Sequence, residues 1–126
     1  MVPIPRLLII AERGYCRSDT HWLAQLTFIV DVLNQYPTVA LQIRNKYAPT
    51  CWQIVEPHIE RWVQAHPNQC LLNGWAFPEV FCPRHLPEST LQPDIQCSKY
   101  LRGGSIHSVA ALHSAIKGGC HYVQYG

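Results

Sequence analysis

The feature that most constrains this chain is an alternation of short, uninterrupted apolar runs with longer segments whose apolar residues recur at helical spacing. Leu7-Leu8-Ile9-Ile10-Ala11 lies between Pro5 and Gly14, the pattern of a strand buried on both faces. Ser18-Asp19-Thr20 then offers N-caps for a helix carrying Leu23, Leu26, Val30 and Leu33 on one face, with Pro37 as its stop. Residues 39–44 predict a second strand that ends in polar residues. Trp52, Val55, Ile59 and Trp62 again recur at helical spacing. Pro57 falls among them, so this helix is expected to begin near the proline or to kink there. Residues 70–73 predict a third strand, followed directly by Gly74. The proline-rich stretch 77–93 predicts a brief strand at 80–82 with loop after it, and residues 100–105 predict a fifth strand. Ser108 caps a helix whose apolar face is read as Val109, Leu112 and Ile116, closed by Gly118-Gly119. Residues 122–125 predict a sixth strand.

Strands alternating with helices of this length imply βαβ units and a parallel sheet. A doubly wound sheet and a (β/α)₈ barrel both satisfy the pattern, and periodicity does not separate them. In either, a ligand sits at the carboxyl ends of the strands. That rule selects Gln42, Arg44, Lys46, Asn73, His85, Ser105 and His107. Arg44 and Lys46 are two residues apart, so on an extended chain both side chains project to one face. A guanidinium fork beside an ammonium makes a reasonable phosphate clamp, and Gln42 continues the same row. On composition alone a solvated strand end is the favoured reading of the pair, because exposed Arg and Lys are common. His107 follows a strand and precedes a helix, and imidazole is the side chain suited to proton transfer near neutrality.

Composition closes off other function classes. At 126 residues the chain is at most one domain, and its aromatic content with only 14% charged residues argues against disorder. A net charge of +2 without a clustered basic run gives no case for nucleic acid. The apolar run at residues 7–11 is too short for a signal-peptide core or a membrane span, so the expected compartment is the cytoplasm. Six cysteines (Cys16, Cys51, Cys70, Cys82, Cys97 and Cys120) are scattered without a C-x-x-C pair and read as small buried hydrophobes. Cys82 and His85 have a C-x-x-H spacing, but a zinc site needs a second pair of ligands, so no structural metal is expected. His21, His58, His66, His113 and His121 belong to no motif and are expected at the surface.

Several segments together resemble one family. Leu41-Gln42-Ile43-Arg44-Asn45-Lys46 resembles the Q-L-R-x-K signature that ends the second strand of thiamine phosphate synthases and TenI-type proteins. Gly104-Ser105-Ile106-His107-Ser108 resembles their G-x-S-x-H-S at the fifth strand. The run 115–126, Ala-Ile-Lys-Gly-Gly-Cys-His-Tyr-Val-Gln-Tyr-Gly, is similar to the A-x-x-x-G-A-D-Y-V-x-x-G that follows. Asn73 matches the Asn of N-D-R, and His85-Leu86 matches the H-L of G-V-H-L-G. The matches occur in the family's order over nearly the whole chain.

The resemblance implies a (β/α)₈ barrel of the TIM type, here truncated after about six strands, with residues 1–126 as one incomplete barrel domain. It implies a thiazole or pyrimidine phosphate ligand held by Gln42, Arg44, Lys46, Asn73 and Ser105. In TenI-like thiazole tautomerases the His at the position of His107 is the proposed acid/base. The transferase branch of the family holds Mg²⁺ with an Asp directly after the Asn of N-D-R, and here that residue is Gly74. The second carboxylate follows the H-L-G turn, where this chain reads Pro87-Glu88. The Mg²⁺ site is therefore expected to be lost, with no cofactor in its place. TenI-like binding or tautomerisation is expected over transfer of a pyrimidine pyrophosphate, and a non-catalytic remnant or subunit is the further alternative. The phosphate loops after strands seven and eight are missing from these residues. Self-association, or completion by a further C-terminal portion, is the corresponding expectation.

Overall fold

The computed structural model describes residues 2–74, 83–91 and 100–126. Their elements run β1 (Leu7–Glu12), α1 (Asp19–Leu33), β2 (Val39–Arg44), α2 (Trp52–Ala65), β3 (Cys70–Asn73), β4 (Arg84–Leu86), β5 (Arg102–Ile106), α3 (Val109–Lys117) and β6 (Tyr122–Tyr125). The strands form one sheet in the order of the chain, and every neighbouring pair is parallel. Six parallel strands curl into a half-barrel, compatible with a truncated TIM-like fold.

Side-chain alternation divides the strands between two faces. Ala11, Leu41, Ile43, Cys70 and Leu72 turn toward the helices and join Trp22, Leu26, Val30 and Leu33 of α1 with Trp52, Val55, Ile59 and Trp62 of α2. Trp22 and Trp52 meet edge to face at 5.5 Å between ring centroids, and the Trp22 indole N–H donates to the Ala11 carbonyl. The opposite, concave face begins with a small apolar layer of Ala40, Leu71 and Leu101, with Leu8 and Tyr122 against it. Polar residues take over toward the carboxyl ends: Gln42, Asn73 and His85 are all buried there.

Local chemistry places the helices as expected at two starts. The Ser18 and Ser108 hydroxyls accept from the His21 and Ala111 backbone amides, satisfying donors that the first turn leaves unpaired. Four details differ from the sequence reading. α2 begins at Trp52, directly after a 3₁₀ turn at Pro49–Cys51, and contains Pro57, so it does not start at the proline. β4 occupies Arg84–Leu86, which the sequence reading gives to a loop, while the strand expected at 80–82 lies outside the described residues. α3 buries Ala111 and Ala115 while Val109 and Ile116 are 68% and 65% exposed, so its packed face is the small one. His66 is buried rather than at the surface, and burial holds its imidazole below the usual pKa.

Cys16, Cys51 and Cys70 are buried free thiols and Cys120 is a partly buried one, while Cys82 and Cys97 lie outside the described residues. Burial pushes the Cys70 thiol up to about 12, which leaves it an inert apolar group. Among the described residues no helix is long and apolar enough to cross a membrane.

Candidate functional site

At the carboxyl ends of the strands the concave face opens into a cleft of about 450 Å³. Gln42, Arg44, Lys46, Asn73, Ser105 and His107 all line it. Six residues spread over 66 positions of sequence (42 to 107) are brought together because each ends, or just follows, a strand of one parallel sheet. Ile10 and Tyr15 close one side, Gln124 and Gly126 the other, and Pro87 and Glu88 form part of the rim.

The basic side is built on a buried carboxylate. Glu12 ends β1 in register with Arg44, and its Oε1 lies 3.7 Å from the Arg44 guanidinium. The same oxygen accepts the Lys46 backbone amide at 3.0 Å. Asn45 holds the bend that follows β2: its Oδ1 accepts the Tyr47 amide at 3.0 Å and its Nδ2 donates to the Ala48 carbonyl at 2.8 Å. This turn delivers the Lys46 ammonium to the cleft wall. Partial burial and the neighbouring Arg44 hold the Lys46 ammonium below its usual pKa, with Glu12 opposing them. Among the described residues no carboxylate comes within ion-pair distance of Lys46.

Beside this cationic wall lies an amide pair. Asn73 Nδ2 donates to Gln42 Oε1 at 2.7 Å, both residues being buried. Gln42 Nε2 and Asn73 Oδ1 then have no partner, although each is shut off from bulk water. Turning both amides over would exchange the roles, yet one donor and one acceptor would still be left unpaired. An unpaired buried polar atom costs about 1–3 kcal/mol, so the pair is an unsatisfied polar spot beside the cationic wall.

The third wall comes from β4, β5 and the turn after each. Ser105 Oγ contacts His85 Nε2 at 2.8 Å, and His85 Nδ1 contacts the Tyr122 hydroxyl at 2.9 Å. His107 is exposed just beyond β5; its backbone N–H donates to Glu88 Oε2, and its ring Nδ1 meets the Gly126 carbonyl. His107 thus lines the cleft with its Nδ1 engaged.

Among the described residues the donor set does not fit a family-type Mg²⁺ ion. Gly74 has φ +91°, and a Cβ there would stand 2.8 Å from the Asn45 carbonyl oxygen. The backbone that holds Asn73 in place thus excludes a carboxylate at residue 74. Of the acids, only Glu88 lines the cleft among the described residues, and one of its oxygens is already taken by the His107 amide. Mg²⁺ demands near-octahedral oxygen ligation, which this wall does not assemble.

The functional residues with the weakest sequence signal are Glu12 and Tyr122. Nothing local marks either one. The usable hint for Tyr122 is Gly103, its register partner on β5, where a Cβ would fall 2.0 Å from the tyrosine ring. A glycine opposite an aromatic residue on neighbouring strands signals a ring lying across the backbone. No protein-family model, curated protein or solved structure matches this chain.

Proposed function

We propose that the cleft binds a small phosphorylated heterocycle, in the manner of TenI-like thiazole tautomerases of thiamine metabolism. The observation that carries this reading is the convergence of Gln42, Arg44, Lys46, Asn73, Ser105 and His107 on one cleft at the carboxyl end of a parallel sheet. Arg44 and Lys46 form the pole for an anionic group, the guanidinium as a planar fork and the ammonium as a point charge. The Gln42–Asn73 amide pair offers one donor and one acceptor to the edge of a planar ring. A heterocycle with an acceptor next to a donor completes both orphaned atoms at once.

His107 is the group for proton transfer. With Nδ1 engaged by the Gly126 carbonyl, Nε2 takes a proton from one ring position and returns it at another. The reaction is an isomerisation, so nothing is consumed and no leaving group departs. Transfer of a pyrimidine pyrophosphate is the less favoured reading, because residue 74 is a glycine and Glu88 is the one carboxylate that lines the cleft among the described residues.

The test is calorimetric titration of the protein with a thiazole carboxylate phosphate, followed by a tautomerisation assay. Binding is expected, with Arg44→Ala weakening affinity and leaving turnover at saturation nearly unchanged. His107→Ala should slow turnover by roughly 10²–10⁴ while affinity is kept. Turnover unaffected by His107→Ala removes that residue from the chemistry, and absence of binding removes the reading.

A further inference from the structure

His85 carries a feature that the ligand reading above does not use. It is 1% exposed, yet it is held between two hydroxyl groups, Tyr122 on Nδ1 and Ser105 on Nε2. The three residues lie on neighbouring strands, with His85, Gly103 and Tyr122 in one register row and Ser105 two residues beyond Gly103. Gly103 exists in that row because the Tyr122 ring occupies the space of any Cβ.

A serine bonded to an imidazole suggests a nucleophile and its base, but the electrostatics oppose that role. Burial, then the positive charges of Arg44 and Lys46, hold the His85 pKa down to about 4. A general base is most effective when its pKa lies near the working pH, and His85 is far too weak to take the Ser105 proton. It remains a neutral imidazole, with one N–H and one lone pair.

The partners decide which nitrogen carries the hydrogen. The Tyr122 hydroxyl is partly buried, and His85 Nδ1 is the acceptor within its reach among the described residues. If Nδ1 carried the hydrogen, the phenolic O–H would lose that acceptor, and an unpaired donor is costly inside a protein. With Tyr122 donating to Nδ1, Nε2–H must donate to Ser105 Oγ. The serine oxygen is then occupied as an acceptor, and its own hydrogen turns toward the cleft that Ser105 lines.

We propose that His85 and Tyr122 are positioning residues that lock the Ser105 hydroxyl as a hydrogen-bond donor into the cleft, where it meets an anionic oxygen of the ligand. The direction of the relay, from Tyr122 through His85 to Ser105, fixes what the cleft accepts at this point. It does not depend on the ligand being a thiazole, so failure of that reading leaves it standing.

Imidazole ¹⁵N NMR on the whole chain, labelled in histidine, tests the relay without any ligand. His85 should show a single neutral tautomer at neutral pH, with hydrogen on Nε2 and an unprotonated Nδ1 that accepts a hydrogen bond. Tyr122→Phe should convert it to a tautomer mixture. A neutral Nδ1–H form, or an imidazolium, in the unsubstituted protein overturns the proposal. Titration with inorganic phosphate tests the consequence. Ser105→Ala should weaken phosphate binding about tenfold, the worth of a hydrogen bond to a charged group. His85→Leu should weaken it equally, and the double variant no further. His85→Gln, whose amide can donate from the Nε2 position, should restore most of the affinity. That rescue keeps the test informative should the leucine variant fail to fold. His85→Leu binding phosphate as the unsubstituted protein does, while Ser105→Ala does not, refutes the positioning role. Absence of phosphate binding by the unsubstituted protein refutes the anionic oxygen at Ser105.

Discussion

The two ends of the sheet are built differently. From β1 to β3 the strands pair over long stretches and rest on two helices of 15 and 14 residues. Their shared core contains three tryptophans, each no more than 5% exposed. Among the described residues, the strands from β4 to β6 are 3, 5 and 4 residues long, β3 and β4 are joined in register at a single pair, and the cover is one nine-residue helix over a cluster of Ile106, Ala111 and Ala115. Yet Ser105 and His107 stand on the weaker end, lining the same cleft as the basic and amide groups of the stronger one, with His85 buried behind Ser105. The difference teaches a division of labour. One half of the sheet is a well-packed wall carrying charge, and the other supplies hydroxyl and imidazole groups from strands with a smaller core behind them among the described residues.

The largest effect expected follows from that asymmetry. Trp22→Ala removes a fully buried ring and its hydrogen bond to Ala11, and should cost about 3–5 kcal/mol. Ala115→Gly, buried in α3, should cost about 1 kcal/mol, chiefly through helix propensity. Urea unfolding of both variants measures the two costs, and hydrogen exchange should show stronger protection in β1–β3 than in β5 and β6. Equal costs, or equal protection, would break the comparison.

Gly103→Ala asks whether the weaker end is specifically packed or merely loose. Its Cβ would overlap the Tyr122 ring, so the ring must leave its place beside His85. A loss of about 1–3 kcal/mol is expected, as for other overpacked sites. The Nε2–H tautomer of His85 should be lost with it. A variant as stable as the original protein would show that β6 shifts freely on β5.

The pH dependence of stability sharpens the contrast further, because His85 belongs to the weaker end. The usual imidazole value is 6.5, and this one is held down to about 4 by burial and by Arg44 and Lys46. Between those values the unfolded chain takes up a proton that the folded chain refuses. Stability is therefore full above about pH 6.5 and drains as pH falls toward 4. His66, also held down by burial, adds to the same trend. Urea midpoints measured at several pH values should show this slope, and His85→Gln, which cannot titrate, should reduce it. Because the glutamine also keeps the donor toward Ser105, phosphate binding should survive while the slope diminishes.

How much of this was legible in the sequence varies along the same divide. β1–β3 and α1 follow from apolar runs and 3–4 spacing because deep burial imposes its period on the residues. β4 is not legible because Arg84-His85-Leu86 is too short and too polar to show such a period. The α3 face is not legible because large apolar residues do not mark burial there, where close approach to β5 selects Ala111 and Ala115. The cleft residues were visible as strand ends. What each one touches was not: the partners of His85 lie 20 and 37 residues away, and only the fold brings them within reach.

The smallest expected effect on stability concerns the two open edges, yet its readout is clear. β1 and β6 each pair on one side within the described sheet, so each presents unpaired backbone groups on the other. The edges are not equal. β1 ends in the inward, buried charge of Glu12, a device that discourages a new strand from docking. β6 reads Tyr-Val-Gln-Tyr, without charge or proline, and leaves Val123 and Tyr125 37% and 79% exposed. Association through β6 is therefore expected, seen by light scattering as a mass that rises with concentration. Tyr125→Lys should suppress it, because a charged side chain on an edge makes pairing costly, while stability changes by no more than about 0.5 kcal/mol. Leu7→Lys on β1 should matter less. A monodisperse monomer at every concentration would mean that the half-barrel shields its own edges. The weaker end would then be weak in packing alone, without being the adhesive side of the molecule.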